Sequence, residues 1–328
     1  MNCKEKIFLI TKKVVTAIVL VSLCFVSTSF SKGVLKVIFM YVGQGDATLM
    51  VMPNNKVVLI DGGPVEDWRN YDAGRDTIFP LLQSMGINKI DYMFATHPHS
   101  DHVGGLKYLL LNILTGSYIE PGIPYPTPIY NQVLSAVKLK KVNYIRARRG
   151  MNFRELDPDV LLDVLSPGET LTADDPNNNS LVIHCKHNKV YIMFPGDAEK
   201  FMEEEIVSLY GSRLESNILK VGHHGSITST VYGAASARNS NIIALGGCVI
   251  PQLWSFVKPK WSTSNKFLEA VNPEVAVIQC GKNNRYRFPS KKVVDGLNSM
   301  NIKVYRTDLN GNVKVTSDGI KYEVTAEK

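Results

Sequence analysis

The sequence predicts an α/β fold in which two β-sheets pack face to face between outer layers of helices. Short apolar runs rich in β-branched residues recur along the chain, and several of them end at a glycine or aspartate turn. In each half of the chain a strand-rich stretch is followed by helical patterns. With 45% hydrophobic and 20% charged residues, the 328-residue chain has the composition of a globular protein with a sizeable core.

The first half of the sequence predicts several strands followed by helices. Four strands are expected, over 34–43, 46–52, 56–63 and 89–96. A helix is expected over 76–87, and a second one is expected to begin near Val103. Residues 115–132 contain four prolines and are expected to form an irregular loop.

The second half alternates strands and helices. Strands are expected over 141–150, 160–167, 180–187, 189–197, 216–226, 274–281 and 302–308. The segment 198–211 is an amphipathic pattern that ends at Gly211, which predicts a helix, and further helices are expected over 266–272 and 290–301. The Asn-Gly-Asn sequence at 310–312 predicts a hairpin turn that leads into a final β-region.

The N-terminal segment has the pattern of an export signal. Two lysines precede an uncharged apolar run over 14–26, and small residues follow at the spacing of a cleavage site. The run is too short to favour a full membrane span. We therefore predict a signal peptide over 1–31, with an uncleaved membrane anchor as the alternative, and a secreted or extracytoplasmic domain over 32–328. The net charge of +7 is modest and does not by itself predict a nucleic-acid partner.

The densest chemical signal is a histidine cluster directly after the strand predicted over 89–96. His97, His99, Asp101 and His102 lie within six positions, at the carboxyl end of a strand where α/β sites form. Imidazole and carboxylate groups suit zinc, iron or manganese. Four ligands from one loop exceed what one metal needs, so the pattern indicates two metals, one at His97 and His99 and one at Asp101 and His102. The alternative is a solvated polar loop before a helix.

Two other strand ends carry ligand-type residues. Asp197 follows an apolar strand, where a carboxylate can bridge two cations or cap the following helix. His223 and His224 follow another strand. Together with the cluster, these residues favour metal binding.

Seven stretches resemble the metallo-β-lactamase superfamily, and in particular the branch related to the extracellular domain of the ComEC/Rec2 competence proteins. They are VGQGDA (42–47), LIDGG (59–63), THPHSDHVGG (96–105), NNNSLVI (177–183), FPGD (194–197), LKVGHHGS (219–226) and GKNNRY (281–286). The resemblance implies a four-layered αββα sandwich over 32–328 with a two-metal site at the sheet edges.

The resemblance also implies a ligand set. The expected ligands are His97, His99, Asp101, His102, Asp197 and His224. His97 and His99 would hold one metal, and Asp197 would bridge to the other. His224 is taken as the ligand and His223 as a group that faces the substrate, so the residues expected to act in catalysis are Asp101, Asp197 and His223. The expected cofactors are two divalent ions, zinc in first place and manganese as the alternative.

Further residues are expected around the metals. Asp61 resembles the carboxylate that orients a ligating histidine, or it is a turn residue before two glycines. Asp46 faces the site or caps a strand start. Asn178 and Ser180 hold a water or a phosphate oxygen, or they are turn residues.

Two cationic residues and one difference from the family pattern lie where the substrate is expected to bind. Lys282 and Arg285, with His223, are candidates to hold phosphate oxygens, although each is also compatible with a plain surface position. Where the family continues with Gly-His-Pro, this chain has Arg287, Phe288 and Pro289. Phe288 stacks on a ring or packs locally.

An apolar insertion near 227–261 is expected to form a lid, a substrate wall or a docking surface for a partner. The position of this insertion next to the paired histidines places it beside the expected site. The sequence leaves the oligomeric state open.

These features predict a secreted, two-metal-dependent hydrolase. We expect a phosphodiesterase or nuclease that cleaves DNA or another phosphate-containing polymer through a metal-bridging hydroxide. The alternatives are a hydrolase of another ester, such as a cell-wall phosphorylcholine ester, a lactone or a β-lactam, and a non-catalytic binding protein on the same fold. Membrane contact is expected only through the N-terminal segment, if it is uncleaved.

Overall fold

An eight-stranded sheet is built from both ends of the described chain. The computed structural model describes residues 33–172, 175–228 and 265–328. The sheet has the order β16-β15-β1-β2-β3-β6-β7-β8. Its strands are β1 Leu35–Phe39, β2 Thr48–Val51, β3 Val57–Ile60, β6 Lys89–Phe94, β7 Leu114–Glu120, β8 Asn143–Arg146, β15 Val313–Ser317 and β16 Tyr322–Ala326. Strands β3, β6, β7 and β8 run parallel, so their carboxyl ends share one edge. Two short strands, β4 Val65–Glu66 and β5 Tyr71–Asp72, pair separately.

A six-stranded sheet is formed by the second half. It has the order β14-β13-β12-β11-β10-β9. The strands are β9 Val160–Ser166, β10 Val182–His187, β11 Val190–Phe194, β12 Ile218–Lys220, β13 Val275–Ile278 and β14 Lys303–Arg306. From β11 to β14 the pairing is parallel, which again gathers carboxyl ends at one edge.

Helices cover the outer face of each sheet. They are α1 Phe79–Ser84, α2 Ser100–Val103, α3 Leu106–Asn112, α4 Pro128–Leu139, α5 Lys200–Tyr210, α6 Asn265–Val271, α7 Lys291–Ser299 and α8 Thr307–Asn310. A π-helical turn, Gly74–Ile78, leads into α1, and single 3-10 turns occur at Asp67–Arg69, Asn177–Asn179, Gly211–Leu214 and Gly222–Gly225.

Three apolar clusters separate four layers. The central cluster lies between the sheets, where Phe39 of β1 stacks on Phe194 of β11 with 5.9 Å between ring centroids. A second cluster packs residues such as Leu109 of α3 against the outer face of the first sheet. A third packs residues such as Ile206 of α5 against the outer face of the second sheet. This arrangement confirms the predicted αββα sandwich.

The proline-rich stretch 115–132 is not a single loop, and that prediction was wrong. Its first part is strand β7, and its last part is the start of α4. Pro128 stands in the first turn of α4, where a missing N–H costs nothing, and the Thr127 hydroxyl accepts a bond from the N–H of Tyr130. Only 121–127 connects these elements.

The hairpin predicted at 310–312 was also wrong. Asn310 ends α8 and Gly311 follows with a φ of 66°, while β14 and β15 belong to different sheets. An Asn-Gly pair suits a helix end as well as a turn, because both need a positive φ. The actual hairpin joins β15 to β16 through 318–321.

Two sequence predictions concern residues that the structure does not describe. They are the leader over 1–31 and the insertion over 227–261, of which only Ile227 and Thr228 belong to the described residues. Within 33–172, 175–228 and 265–328, no helix has both the length and the apolar composition needed to cross a bilayer.

Candidate metal centre

Loops at the carboxyl ends of strands from both sheets build the site. His97 and His99 follow β6, and α2 then presents Asp101 and His102. On the other sheet, Asp197 follows β11, and the paired histidines follow β12. Because the parallel strands of each sheet end at the same edge, residues distant in sequence come together.

Asp197 lies at the middle of this arrangement. Its Oδ2 atom is 3.2 Å from His102 Nε2 and 3.6 Å from His224 Nε2. The same atom is 3.8 Å from His223 Nε2 and 3.9 Å from His97 Nε2. One carboxylate oxygen is therefore surrounded by four imidazole nitrogens from two loops, one after β6 and one after β12.

The remaining predicted ligands complete two groups. Asp101 Oδ2 lies 3.2 Å from His224 Nε2, and these residues form one group with His102. His97, His102 and Asp197 form another, and in each group the ligand atoms lie within 4.8 Å of one another. His99 adjoins the second group through its Nδ1 atom, 2.9 Å from His97 Nε2.

Asp61 holds His102 in place. Its Oδ2 atom is 2.8 Å from His102 Nδ1 and accepts a 2.8 Å bond from the Thr96 hydroxyl. Its Oδ1 atom accepts a 2.8 Å bond from the Thr96 N–H. A carboxylate on Nδ1 leaves Nε2 of His102 directed at Asp197, which is the orientation expected of a metal-ligating histidine.

Asp46 has the corresponding position beside His224. Its Oδ1 atom is 3.1 Å from His224 Nδ1, and its Oδ2 atom pairs with the ammonium group of Lys220. Lys220 is buried, donates a 3.2 Å bond to the Gly196 carbonyl and lies 3.8 Å from Asp197 Oδ1. The buried ammonium group of Lys220 thus stabilises the negative charge of both Asp46 and Asp197.

The carboxylates of the centre stabilise positive charge on two of its histidines, His102 and His224. Burial alone would raise the pKa of Asp197, but His102 and His224 hold it well below its usual value. Burial would lower the pKa of His102 and His224, yet Asp197 and the adjoining carboxylates raise the first well above its usual value and the second to about 10. His97 differs, because burial and the neighbouring His102 lower its pKa well below the usual range.

The backbone at the paired histidines is unusual. His223 and His224 have φ values of 46° and 52°, followed by 80° at Gly225. A side chain on Gly225 would also meet Pro289, with only 2.6 Å between the two Cβ atoms. Successive left-handed residues cost conformational energy and are found where a site demands a particular side-chain direction.

A cavity of about 600 Å³ opens over the centre. Its lining includes five of the central residues: His99, Asp101, Asp197, His223 and His224. Aromatic side chains contribute as well, namely Tyr125, Tyr286 and Phe288. The volume suits a small molecule or a short segment of polymer.

Four other predicted residues lie outside the cavity lining. Ser180 is buried, and its hydroxyl accepts a bond from the Asp197 N–H. Asn178 reaches Glu199, which in turn approaches His223. Lys282 and Arg285 are exposed.

Sequence reasoning missed Lys220 and Thr96. Lys220 is the last residue of the otherwise apolar strand β12, and its position just before two histidines is a weak signal in the sequence, which does not show that the lysine is buried. Thr96 gave no such signal, since a threonine after a strand is common.

The donor set fits divalent metal ions. His102 Nε2 and Asp197 Oδ1 are buried without a well-directed hydrogen bond among the described residues. Buried polar atoms without partners are rare and call for an explanation such as an ion. Imidazole and carboxylate donors at this spacing supply one.

Comparison with known proteins agrees with this geometry. Residues 40–232 match the metallo-beta-lactamase superfamily, and the chain belongs to this superfamily. Its fold implies binding of divalent metals.

Two relatives that match most of this chain are competence proteins. The chain is 30% identical over 286 residues to ComE operon protein 3 of Bacillus subtilis (strain 168), covering 83% of this chain and 32% of that protein. It is 28% identical over 269 residues to Competence protein ComA of Neisseria gonorrhoeae, covering 82% and 30%. The predicted resemblance is thereby confirmed, and the chain spans about a third of the length of these relatives.

A solved structure, a metallo hydrolase named Igni18 from Ignicoccus hospitalis KIN4/I, shares 14% identity at a TM-score of 0.45. The superposed region covers 85% of this chain and 98% of the Igni18 chain. This likeness is too low to bear on function.

Proposed function

We propose that the protein is a two-metal phosphodiesterase whose substrate is DNA or another phosphate-containing polymer. The position of Asp197, with one oxygen facing four imidazole nitrogens, carries the proposal. A carboxylate in this position is suited to bridge two cations. The similarity to competence proteins favours a nucleic-acid phosphodiester among the esters that such a centre can cleave.

The ligands divide into two sets around Asp197. His97 and His99 would hold one cation, and Asp101, His102 and His224 the other. Zinc suits this mixture of imidazole and carboxylate, and manganese is the alternative. The first set supplies fewer protein ligands, which leaves coordination positions open, as catalytic sites require.

The protein residues orient and balance the centre. Two divalent cations, when bound, supply an activated water and neutralise charge that develops on the phosphate. Asp61 and Asp46 fix the rings of His102 and His224, so that neither imidazole has to reorient. His223 lines the cavity with Nε2 near Asp197, where it would donate a hydrogen bond to a phosphate oxygen.

The predicted leader gives the proposed location. If residues 1–31 direct export, the enzyme acts outside the cytoplasm, on DNA or on a cell-surface polymer. Detection of the chain without residues 1–31 in the culture medium or at the cell surface would support this location.

The proposal is tested with the purified domain after removal of metal and reloading with Zn2+ or Mn2+. Bis(4-nitrophenyl) phosphate, single-stranded DNA, double-stranded DNA and a phosphorylcholine ester are assayed side by side. We expect metal-dependent cleavage of phosphodiesters and a loss of at least about 100-fold in Asp197→Asn, since electrostatic contributions of this size are typical for one catalytic group.

Asp295→Asn is the matched control. Asp295 is an exposed aspartate that pairs with Lys291 on α7 and does not line the cavity, so its variant should retain the wild-type rate. An Asp197→Asn variant with an unchanged rate would refute the proposal. Stoichiometric metal binding without cleavage of any ester would favour a binding protein.

A further inference from the structure

An aromatic column extends from the candidate ligands to the rim of the cavity. The Phe288 ring lies 5.8 Å from the ring of His223 and 6.5 Å from that of His224. Tyr286 stacks on Phe288 at 5.5 Å, with 17° between the ring planes. The Arg285 guanidinium lies 4.7 Å from the centroid of Tyr286 and ends the column.

The histidine loop after β6 also has an aromatic neighbour in the cavity. Tyr125 meets His99 edge to face, with 5.4 Å between ring centroids. Pro128 and Ile129 line the same cavity beside it. Aromatic rings therefore lie next to candidate ligands from both histidine loops, and all of them line one cavity.

These rings remain accessible although they are large and apolar. Tyr286 is 49% exposed and Phe288 is half-buried. A bare phosphate ester would engage only the histidines and carboxylates and leave this surface unused. A nucleotide carries a flat base next to its phosphodiester, and bases pack readily on aromatic and guanidinium groups.

We infer that the column formed by Phe288, Tyr286 and Arg285 is a subsite for an unpaired nucleobase adjacent to the scissile phosphate. This inference rests on the proposed phosphodiesterase function. A base within a duplex is paired and covered on both faces by its neighbours, so the subsite selects single-stranded or locally opened nucleic acid. The positive guanidinium at the rim suits the adjoining phosphate of the same strand.

The subsite belongs to the part of the chain that departs from the family pattern. The family resemblance implies a histidine, in Gly-His-Pro, at the position that Phe288 has in this chain. An aromatic hydrocarbon ring cannot transfer a proton, but it adds a stacking surface against His224 and Tyr286. Position 288 therefore presents a ring surface to the cavity.

Two oligomers of equal charge test the inference. One is a single-stranded oligothymidylate, and the other has the same length and phosphodiester backbone but carries abasic tetrahydrofuran residues throughout. With the metal-loaded wild-type protein, we expect kcat/KM to be about 5- to 150-fold higher for the oligothymidylate, the gain expected from one stacked base. Binding of phosphorothioate versions of both oligomers, measured by calorimetry, should show the same preference.

Tyr286→Leu is the decisive variant, because Tyr286 stacks on Phe288 and not on a candidate ligand. It should keep wild-type metal content and lose most of the preference for bases, because its kcat/KM for the oligothymidylate should fall towards its kcat/KM for the abasic oligomer. Phe288→Leu should lose the preference as well, and Phe201→Leu, at a 60% exposed position outside the cavity lining, is the control that should keep it.

The outcomes separate the two proposals. Equal rates and affinities for both oligomers in the wild-type protein would overturn the base subsite and leave the phosphodiesterase intact. A preference that survives in Tyr286→Leu would also overturn it. Failure of the metal-loaded protein to cleave either oligomer or bis(4-nitrophenyl) phosphate would overturn the proposed function, and this inference with it.

Discussion

Replacement of Asp61 by asparagine should weaken metal binding without unfolding the protein. The Asp61 carboxylate makes three contacts of 2.8 Å, to the Thr96 N–H, the Thr96 hydroxyl and His102 Nδ1. Asparagine preserves the shape and the acceptor for the Thr96 N–H. Its NH2 group, however, then faces His102 Nδ1, so the imidazole must carry its proton on Nε2, the atom that points to Asp197.

The size of the effect follows from this change of tautomer. A protonated Nε2 offers no lone pair to a metal, and loss of an orienting partner typically costs 10- to 100-fold in metal affinity, or about 1.4 to 2.7 kcal/mol. Asp61→Ala would instead strand buried donors at roughly 1–3 kcal/mol each. The alanine variant would therefore confuse folding with metal binding, and the asparagine variant is the informative one.

The assay is competition with a chromophoric chelator for Zn2+, together with thermal unfolding of the metal-free protein. We expect a 10- to 100-fold weaker affinity and a nearly unchanged melting temperature. Asp91→Asn is a matched control, since Asp91 accepts a bond from the Val57 N–H away from the centre. Wild-type affinity in Asp61→Asn would refute the orienting role of Asp61.

Three further predictions concern stability and geometry. Lys220→Met removes the buried ammonium group beside Asp46, which keeps only His224 as a cationic partner, and should destabilise the metal-free protein by up to about 3–5 kcal/mol in urea unfolding. A change below about 0.5 kcal/mol would contradict the ion-pair account. Burial lowers the pKa of His184 from 6.5 to about 4, so its contribution to stability is complete above pH 6.5 and is lost as the pH falls towards 4. The free energy of unfolding should therefore fall by about 3 kcal/mol between pH 7 and pH 4 through this residue. This part of the loss should be absent in His184→Gln. Gly45→Ala would place a Cβ 2.3 Å from the Asp101 carbonyl oxygen and should reduce both the melting temperature and the metal content, whereas a variant with wild-type metal content would show that the loop adapts freely.

The sequence predicts the layers and most of the site because both depend on local patterns. Strand-forming runs predict the two sheets, and ligand-type residues at their ends predict His97, Asp197 and His224. Parallel strands bring such ends to one edge, so proximity follows from the fold without knowledge of distances. Asp61 required the family resemblance, because an aspartate before two glycines otherwise indicates only a turn.

The errors arise where one local signal serves two structures. Pro128 begins a helix, and Asn310 with Gly311 ends one, although prolines and Asn-Gly pairs also mark loops and hairpins. The sequence does not predict a role for Lys220, because a lysine at a strand end is usually solvated and its burial results from Asp46 and Asp197, which are distant in sequence. Such tertiary pairings are not encoded in a local pattern.

We expect two cations to share the carboxylate of Asp197. Anomalous diffraction from crystals of the Zn2+-loaded protein tests it most directly. Two peaks about 3.5–4 Å apart should flank the Asp197 carboxylate, one near His97 and one near His224. A single peak, or peaks that do not involve Asp197, would contradict the two-metal account.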